Sequence, residues 1–183
     1  MFRDETAEAL MLLAAAQIAA QENKKALATL GQALAKNPKL PELNSLYGRA
    51  RLTDGDAAGA KEAFLRELAI NPSEFEANLQ IGALYRLEKD NSKAAEFLGR
   101  AQQIRPQSLP LKYQLASLEF SKGNIQGAIP MLEEVTREAP DFVEAHITLA
   151  TAYYRAKRKE DGDRERALVD QINAKQQTQD QKD

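Results

Sequence analysis

The chain has 183 residues, 43% hydrophobic and 28% charged, proportions ordinary for a folded chain and too apolar for a disordered one. Its 25 basic and 27 acidic side chains leave a net charge of −2, so no long-range field favours a nucleic acid or an anionic membrane. With no cysteine there is no disulfide, thiolate metal ligand or thiol nucleophile, and redox chemistry gives no compartment.

The first predicted element is a helix starting at Ala7. Its apolar run, Ala9 to Ala16, follows Asp4, Glu5 and Glu8, where a secretory leader would be positive. No stretch reaches the roughly 18 to 20 apolar residues of a membrane span, so membrane insertion is not expected. A second helical pattern, carrying Ala26 and Leu30, closes before Pro38, and from there the chain repeats itself. Pro38, Pro72, Pro106 and Pro140 stand 34 residues apart. Four units follow that period, 7–40, 41–74, 75–108 and 109–142, and a partial fifth with a capping helix spans 143–175. Together with the residues before them these form one domain, 1–175, with 176–183 expected as a polar, frayed tail.

Counted from the start of each unit, position 7 is Leu13, Tyr47, Ile81, Leu115 and Leu149, and position 8 is Ala14, Gly48, Gly82, Ala116 and Ala150. A large residue thus stands beside a small one in every unit. On the second helix, position 20 is Ala26, Ala60, Ala94 and Ala128, and position 24 is Leu30, Phe64, Leu98 and Leu132. Such knobs and holes let two helices approach closely. Between the helices, "DGDA", "KDNS" and "KGNI" supply the Gly, Asn and Asp that end one helix and begin the next. Each proline ends the second helix, since it lacks a backbone donor and disfavours a helical residue before it. Ser73, Ser108 and Asp141 then fall where N-caps are expected.

The pattern resembles the tetratricopeptide repeat family, over roughly residues 7 to 172. The resemblance implies an all-α fold, a right-handed α-α superhelix (solenoid) of helix-turn-helix repeats with a C-terminal capping helix. It departs from the family at position 4, where the tryptophan is replaced by Leu10, Asn44, Asn78, Lys112 and His146. The fold implied also places positions 2, 5, 9, 12 and 13 on a concave wall, and these do trace one helical stripe. Singled out on it as the binding groove are Met11, Ile18, Arg49, Leu52, Leu79, Arg86, Tyr113, Phe120, Ile147 and Tyr154, with Leu87, Arg155 and a glutamate at position 2 of four units also on the stripe. That wall suits a peptide or helix of another protein bearing apolar anchors and an acidic group or two. The family's clamp for terminal carboxylates lacks its first Lys/Asn pair, replaced by Met11 and Ala15.

No catalytic chemistry is legible, and neither an enzyme nor a cofactor is expected. His146 is the sole histidine and sits at a helix-packing position, which rules out a His-pair metal site. No Gly-rich phosphate loop occurs. At the N-terminal edge Leu10, at position 4, stands where later repeats place Asn or Lys, with Leu12 beside it at position 6, so that edge is expected to pack against a second copy or a missing upstream domain. The charged stretch "RAKRKEDGDRER", with six basic and four acidic residues, reads as the turn and first turns of the cap helix. Within "YY" just before it, Tyr153 is expected between helices and Tyr154 in the groove.

Overall fold

The computed structural model describes residues 6–180, with side chains through 178, and among them finds ten helices and no strand. They are α1 (Ala7–Ala19), α2 (Asn23–Lys36), α3 (Leu43–Thr53), α4 (Ala57–Ile70), α5 (Phe75–Leu87), α6 (Asn91–Ile104), α7 (Leu109–Ser121), α8 (Ile125–Glu138), α9 (Val143–Arg155) and α10 (Lys159–Asp180). Odd-numbered helices are the first, or A, helix of each repeat, and even-numbered helices the second, or B. Each packs on its sequence neighbours, which is the contact pattern of a solenoid. In addition α1 touches α3, α5 touches α7 and α7 touches α9, with no comparable contact between consecutive B-helices among the described residues. The A-helices therefore line the tighter, inner curve.

The period shows most clearly at the turns. Position 15 adopts the left-handed conformation in all five repeats: Gln21, Gly55, Lys89, Gly123 and Lys157, with φ from 59° to 84°. At position 16, Asp56, Asp90 and Asn124 accept hydrogen bonds from the backbone N–H of Gly59, Lys93 and Gly127, capping their B-helices. Asn37, Asn71, Arg105 and Ala139 close the first four B-helices, each directly before its proline.

Packing within a repeat follows the large and small pairs. A Cβ on Gly48 would lie 2.8 Å from the Phe64 ring, and one on Gly82 would lie 2.6 Å from Leu98. In these two repeats the position-24 side chain comes too close to leave room for a Cβ at position 8. Leucine at position 24 is also paired with alanine, as Leu30 with Ala14 and Leu132 with Ala116. Phe64, Leu30, Leu98 and Leu132 are all fully buried, each contributing roughly 1.5 to 3 kcal/mol.

Position 4 has a polar task. The Asn44 amide donates to the Pro38 carbonyl at 3.2 Å, and the Asn78 amide donates to Pro72 at 3.0 Å. His146 Nε2 lies 3.1 Å from the Pro140 carbonyl. In each case the buried side chain satisfies the carbonyl of the proline six residues earlier. Lys112 instead donates to Glu134 and Glu138 on α8, at 2.9 and 2.6 Å.

Three local expectations are corrected. Ser73 does not cap α5; Glu74 does, accepting from the N–H groups of Glu76 and Ala77. Ser108 holds the cap position of α7 without a side-chain bond, and Phe142, not Asp141, holds that of α9. The second repeat starts late, at Leu43, because Glu42 is left-handed at φ 67°. There Glu67 of α4, fully buried, accepts from the N–H groups of Glu42 and Asn44 at 2.8 and 3.2 Å. Burial pushes its carboxyl above the usual range, partly opposed by those two bonds.

α10 starts in register as the fifth B-helix, with Gly162 at the position of the earlier alanines. A Cβ there would lie 2.6 Å from the Tyr154 ring. Ala174 stands where the closing proline would fall, so α10 runs 22 residues against 14 for the other B-helices. Residues 176–180 thus continue the helix, where a frayed tail was expected; 181–183 lie outside the described residues.

Candidate functional site

The inner stripe separates into three depressions. The first, about 260 Å³, lies among α1, α3 and the start of α5, with Met11, Leu12 and Arg49 facing Glu42 and Glu76. A second, about 480 Å³, joins the C-terminal ends of α5, α7 and α9, bringing Arg86 beside Phe120 and Arg155. The third, about 360 Å³, lies between α9 and α10, lined by Ile147, Thr151, Tyr154, Arg166 and Val169.

Each sequence-predicted residue now has a place. Met11 with Arg49, Arg86 with Phe120, and Ile147 with Tyr154 are brought together in the three depressions. Ile147 is 50% exposed, an open apolar side chain on the inner wall. Ile18 and Leu52 are half-buried against the cores of their own repeats and line none of the three. Leu79 does not reach the wall at all. It is buried with Phe75, Leu98 and Leu111, because α7 lies over position 5 of α5 where the inner curve is tight. Tyr113 bridges α7 to α9: its hydroxyl lies 3.2 Å from that of Thr148, and its ring packs 4.9 Å from Phe142.

Tyr153 and Tyr154 divide the α9–α10 junction. Tyr153 is buried, and its hydroxyl donates to Glu133 at 2.6 Å while Arg158 lies over its ring. Burial, followed by that carboxylate, pushes its phenol well above the ordinary range. Tyr154 lines the third depression, yet its hydroxyl donates to Asp163 at 2.7 Å and its ring covers Gly162. The charged stretch pairs internally, through Arg158 with Asp161 at 2.5 Å and Lys159 with Asp163 at 3.1 Å. His146 faces acceptors with both ring nitrogens, Glu165 of α10 at 2.5 Å and Pro140, and thereby ties the last helix to α9.

At the N-terminal edge, Leu10 is 2% exposed within the first core, so it is not an edge residue. Position 4 is buried at Leu10, Asn44, Asn78 and His146, polar or not, while Lys112 reaches out to the acids of α8. The open leucines are Leu12, at 69%, and its neighbour Leu13, at 45%. Sequence reasoning placed Leu87 and Arg155 on the stripe, at position 13, without singling them out beside Arg86, and it missed Lys89. Lys89, at position 15, lies in the turn beyond the stripe, and only the curvature brings three repeats' ends together. Among the described residues, no three His, Asp or Glu side chains converge to hold a metal, and no helix is long and apolar enough to cross a membrane.

The fold has close parallels. A structure of MamA from Desulfovibrio magneticus RS-1, residue 41 to the end, superposes with a TM-score of 0.74 at 18% identity, covering 96% of this chain and 99% of that one. YrrB, described as a TPR protein with an unusual peptide-binding site, gives 0.68 at 17% identity, covering 93% and 88%. In sequence, the chain is 28% identical over 144 residues to anaphase-promoting complex subunit 7 of Arabidopsis thaliana, covering 79% of this chain but spanning only 25% of that relative's length. Models described as tetratricopeptide repeat match residues 11–74, 46–108 and 119–181. With more than half the chain matched, and the 34-residue period carried through five pairs of helices, the chain belongs to the tetratricopeptide repeat family, whose solenoid is a scaffold for protein–protein interaction.

Proposed function

We propose that the protein is a non-catalytic scaffold whose inner wall binds a peptide or helical segment of another protein. The observation that carries this reading is Ile147, half exposed on the concave side and set beside Tyr154 and Val169, with Met11 in a like place at the other end. An apolar residue held open in a depression is an anchor site; burying a partner's anchor contributes roughly 1.5 to 3 kcal/mol, offset by the cost of ordering the segment. Three or four anchors correspond to micromolar binding, about −8 kcal/mol. The peptide-binding site named for YrrB is consistent with this use of the fold. The test is affinity capture with the full chain against the Met11→Asp, Ile147→Asp double variant, with helicity checked by circular dichroism. Proteins captured by the wild type and lost with the folded variant support the groove; unchanged capture overturns it.

A second reading rests on the first helix. Ala9, Leu12, Leu13 and Ala16 are exposed on α1, whereas the equivalent stripe in later repeats lies under the preceding B-helix. In this reading a second copy of the chain covers that stripe, with Leu12 and Leu13 at its centre.

A further inference from the structure

The inner wall carries its charge unevenly. Around the first depression stand Glu42, Glu74 and Glu76 with a single arginine, Arg49. Around the middle one stand Arg86, Lys89 and Arg155, with no carboxylate among the lining residues. Arg86 is half-buried, and its hydrogen bond goes to a neutral group, the Gln114 amide at 3.3 Å. Burial lowers its pKa, as expected for a cation without an opposing charge. Arg155 lies over the Phe120 ring, 4.5 Å from its centre, and Lys89 occupies the left-handed turn between α5 and α6.

Among the described residues none of the three is in an ion pair. Nearby acids are engaged elsewhere: Glu88 holds Lys61, Asp90 holds Lys93, and Glu119 holds Lys122 and Asn124. Three cations gathered around one depression, one of them partly desolvated, repel each other and lack compensation. One further feature shapes what would compensate them: Leu87 is 67% exposed at the rim beside Phe120, an apolar ledge next to the charge.

We propose that this depression is the specificity subsite of the groove and receives an acidic side chain with an adjacent apolar one from a peptide segment of a partner protein. The carboxylate meets Arg86, Lys89 and Arg155, while the apolar neighbour rests on Phe120 and Leu87. Arginine is suited to this role because its planar fork pairs with a carboxylate through two bonds. The inference rests on the groove reading and narrows it.

The test uses a random peptide-display library selected on the full chain, followed by affinity measurement with the selected peptides. Expected is enrichment of Asp or Glu next to Phe, Leu or Ile, with affinity that falls as salt is raised. Lys89→Gly is a clean first variant, because Gly55 and Gly123 occupy the same left-handed position in other repeats. Combined with Arg86→Gln and Arg155→Gln, it should weaken the acidic peptides about tenfold or more, one decade being about 1.4 kcal/mol. Versions of the same peptides with Asn or Gln in place of the acid should bind the two proteins alike. Acid enrichment that survives the triple variant, or selected peptides without any acid preference, overturns the subsite and leaves the groove standing. Peptides that bind the Met11→Asp, Ile147→Asp protein as well as the wild type overturn the groove, and the subsite with it. Single-stranded oligo(dT) that displaces the peptides at equal strength and is itself lost in the triple variant overturns the assignment to an acidic peptide.

Discussion

The first and last helices are both ends of the same solenoid, yet they meet solvent with opposite surfaces. α1 leaves Ala9, Leu12, Leu13 and Ala16 open, while α10 presents mainly Glu160, Asp163, Arg164 and Gln171, with Ala167 and Leu168 the apolar residues open among them. The positions explain why this is unusual at the N-terminal end. Position 3 is fully buried in all later repeats, as Leu43, Ala77, Leu111 and Ala145, and position 10, as Ala50, Leu84, Leu118 and Ala152, is at most 7% exposed. α1 therefore carries the side chains of an internal repeat on a face that nothing among the described residues covers. At the C-terminal end the last helix is instead tied back onto α9. Gly162 lets α10 seat on Tyr154, and Glu165 bonds to His146. A solenoid of constant period can thus end closed or open, according to the side chains at the few positions that its next helix would cover.

Position 4 gives the largest effects by which the two ends can be set against each other. Leu10→Ala, in the first core, should cost about 2 to 5 kcal/mol, read as a lower midpoint in urea unfolding. His146→Ala, at the other end, should cost about 2 to 3 kcal/mol, because it leaves the Pro140 carbonyl and the Glu165 carboxylate without their shared partner. His146→Asn copies Asn44 and Asn78, restoring the bond to the proline but not the tie to α10. It should recover roughly 1 kcal/mol of that loss. Equal midpoints for the Ala and Asn variants would show that the proline carbonyl is not what position 4 serves.

The same position shows how far the sequence could be read. The period, the small-residue ladder and the proline stops were legible because each reflects a local cause: close helix approach, or a missing backbone donor. From the pattern alone, Leu10 looked like an exposed leucine, since its counterparts are Asn44, Asn78 and Lys112. Those asparagines are polar because they bond a proline carbonyl in the interior, and no proline stands six residues before Leu10. Polarity was mistaken for exposure. The inner wall was only partly legible for a different reason. A helical stripe gives the direction of a side chain, but curvature decides what covers it, so Leu79 is lost to the core while Lys89, off the stripe, joins Arg86.

A smaller effect is expected at the turns nearest the two ends. Gln21 and Lys157 both hold left-handed conformations, at φ 59° and 61°, where Gly55 and Gly123 serve other repeats. Gln21→Gly and Lys157→Gly should each stabilise by up to about 1 kcal/mol, since glycine adopts this region without the steric cost borne by other residues. Calorimetry would show both as modest rises in melting temperature. A fall in either would mean that the side chain contributes more than its backbone strain costs.

The smallest effect on the fold itself, and the most informative about the open end, should come from Leu12→Gln with Leu13→Gln. Neither leucine belongs to the buried core, so the pair should change unfolding free energy by about 0.5 kcal/mol or less. If a second copy covers α1, the wild type should form a dimer with rising concentration in light scattering, and the double variant should remain a monomer with unchanged helicity. A wild type that stays monomeric at every concentration removes the second copy as the occupant. Leu10→Ala, by contrast, should weaken the fold without selectively removing the dimer, because its side chain lies beneath the edge and not on it. The order of these two effects separates a surface kept apolar for contact from a core that happens to lie near a terminus.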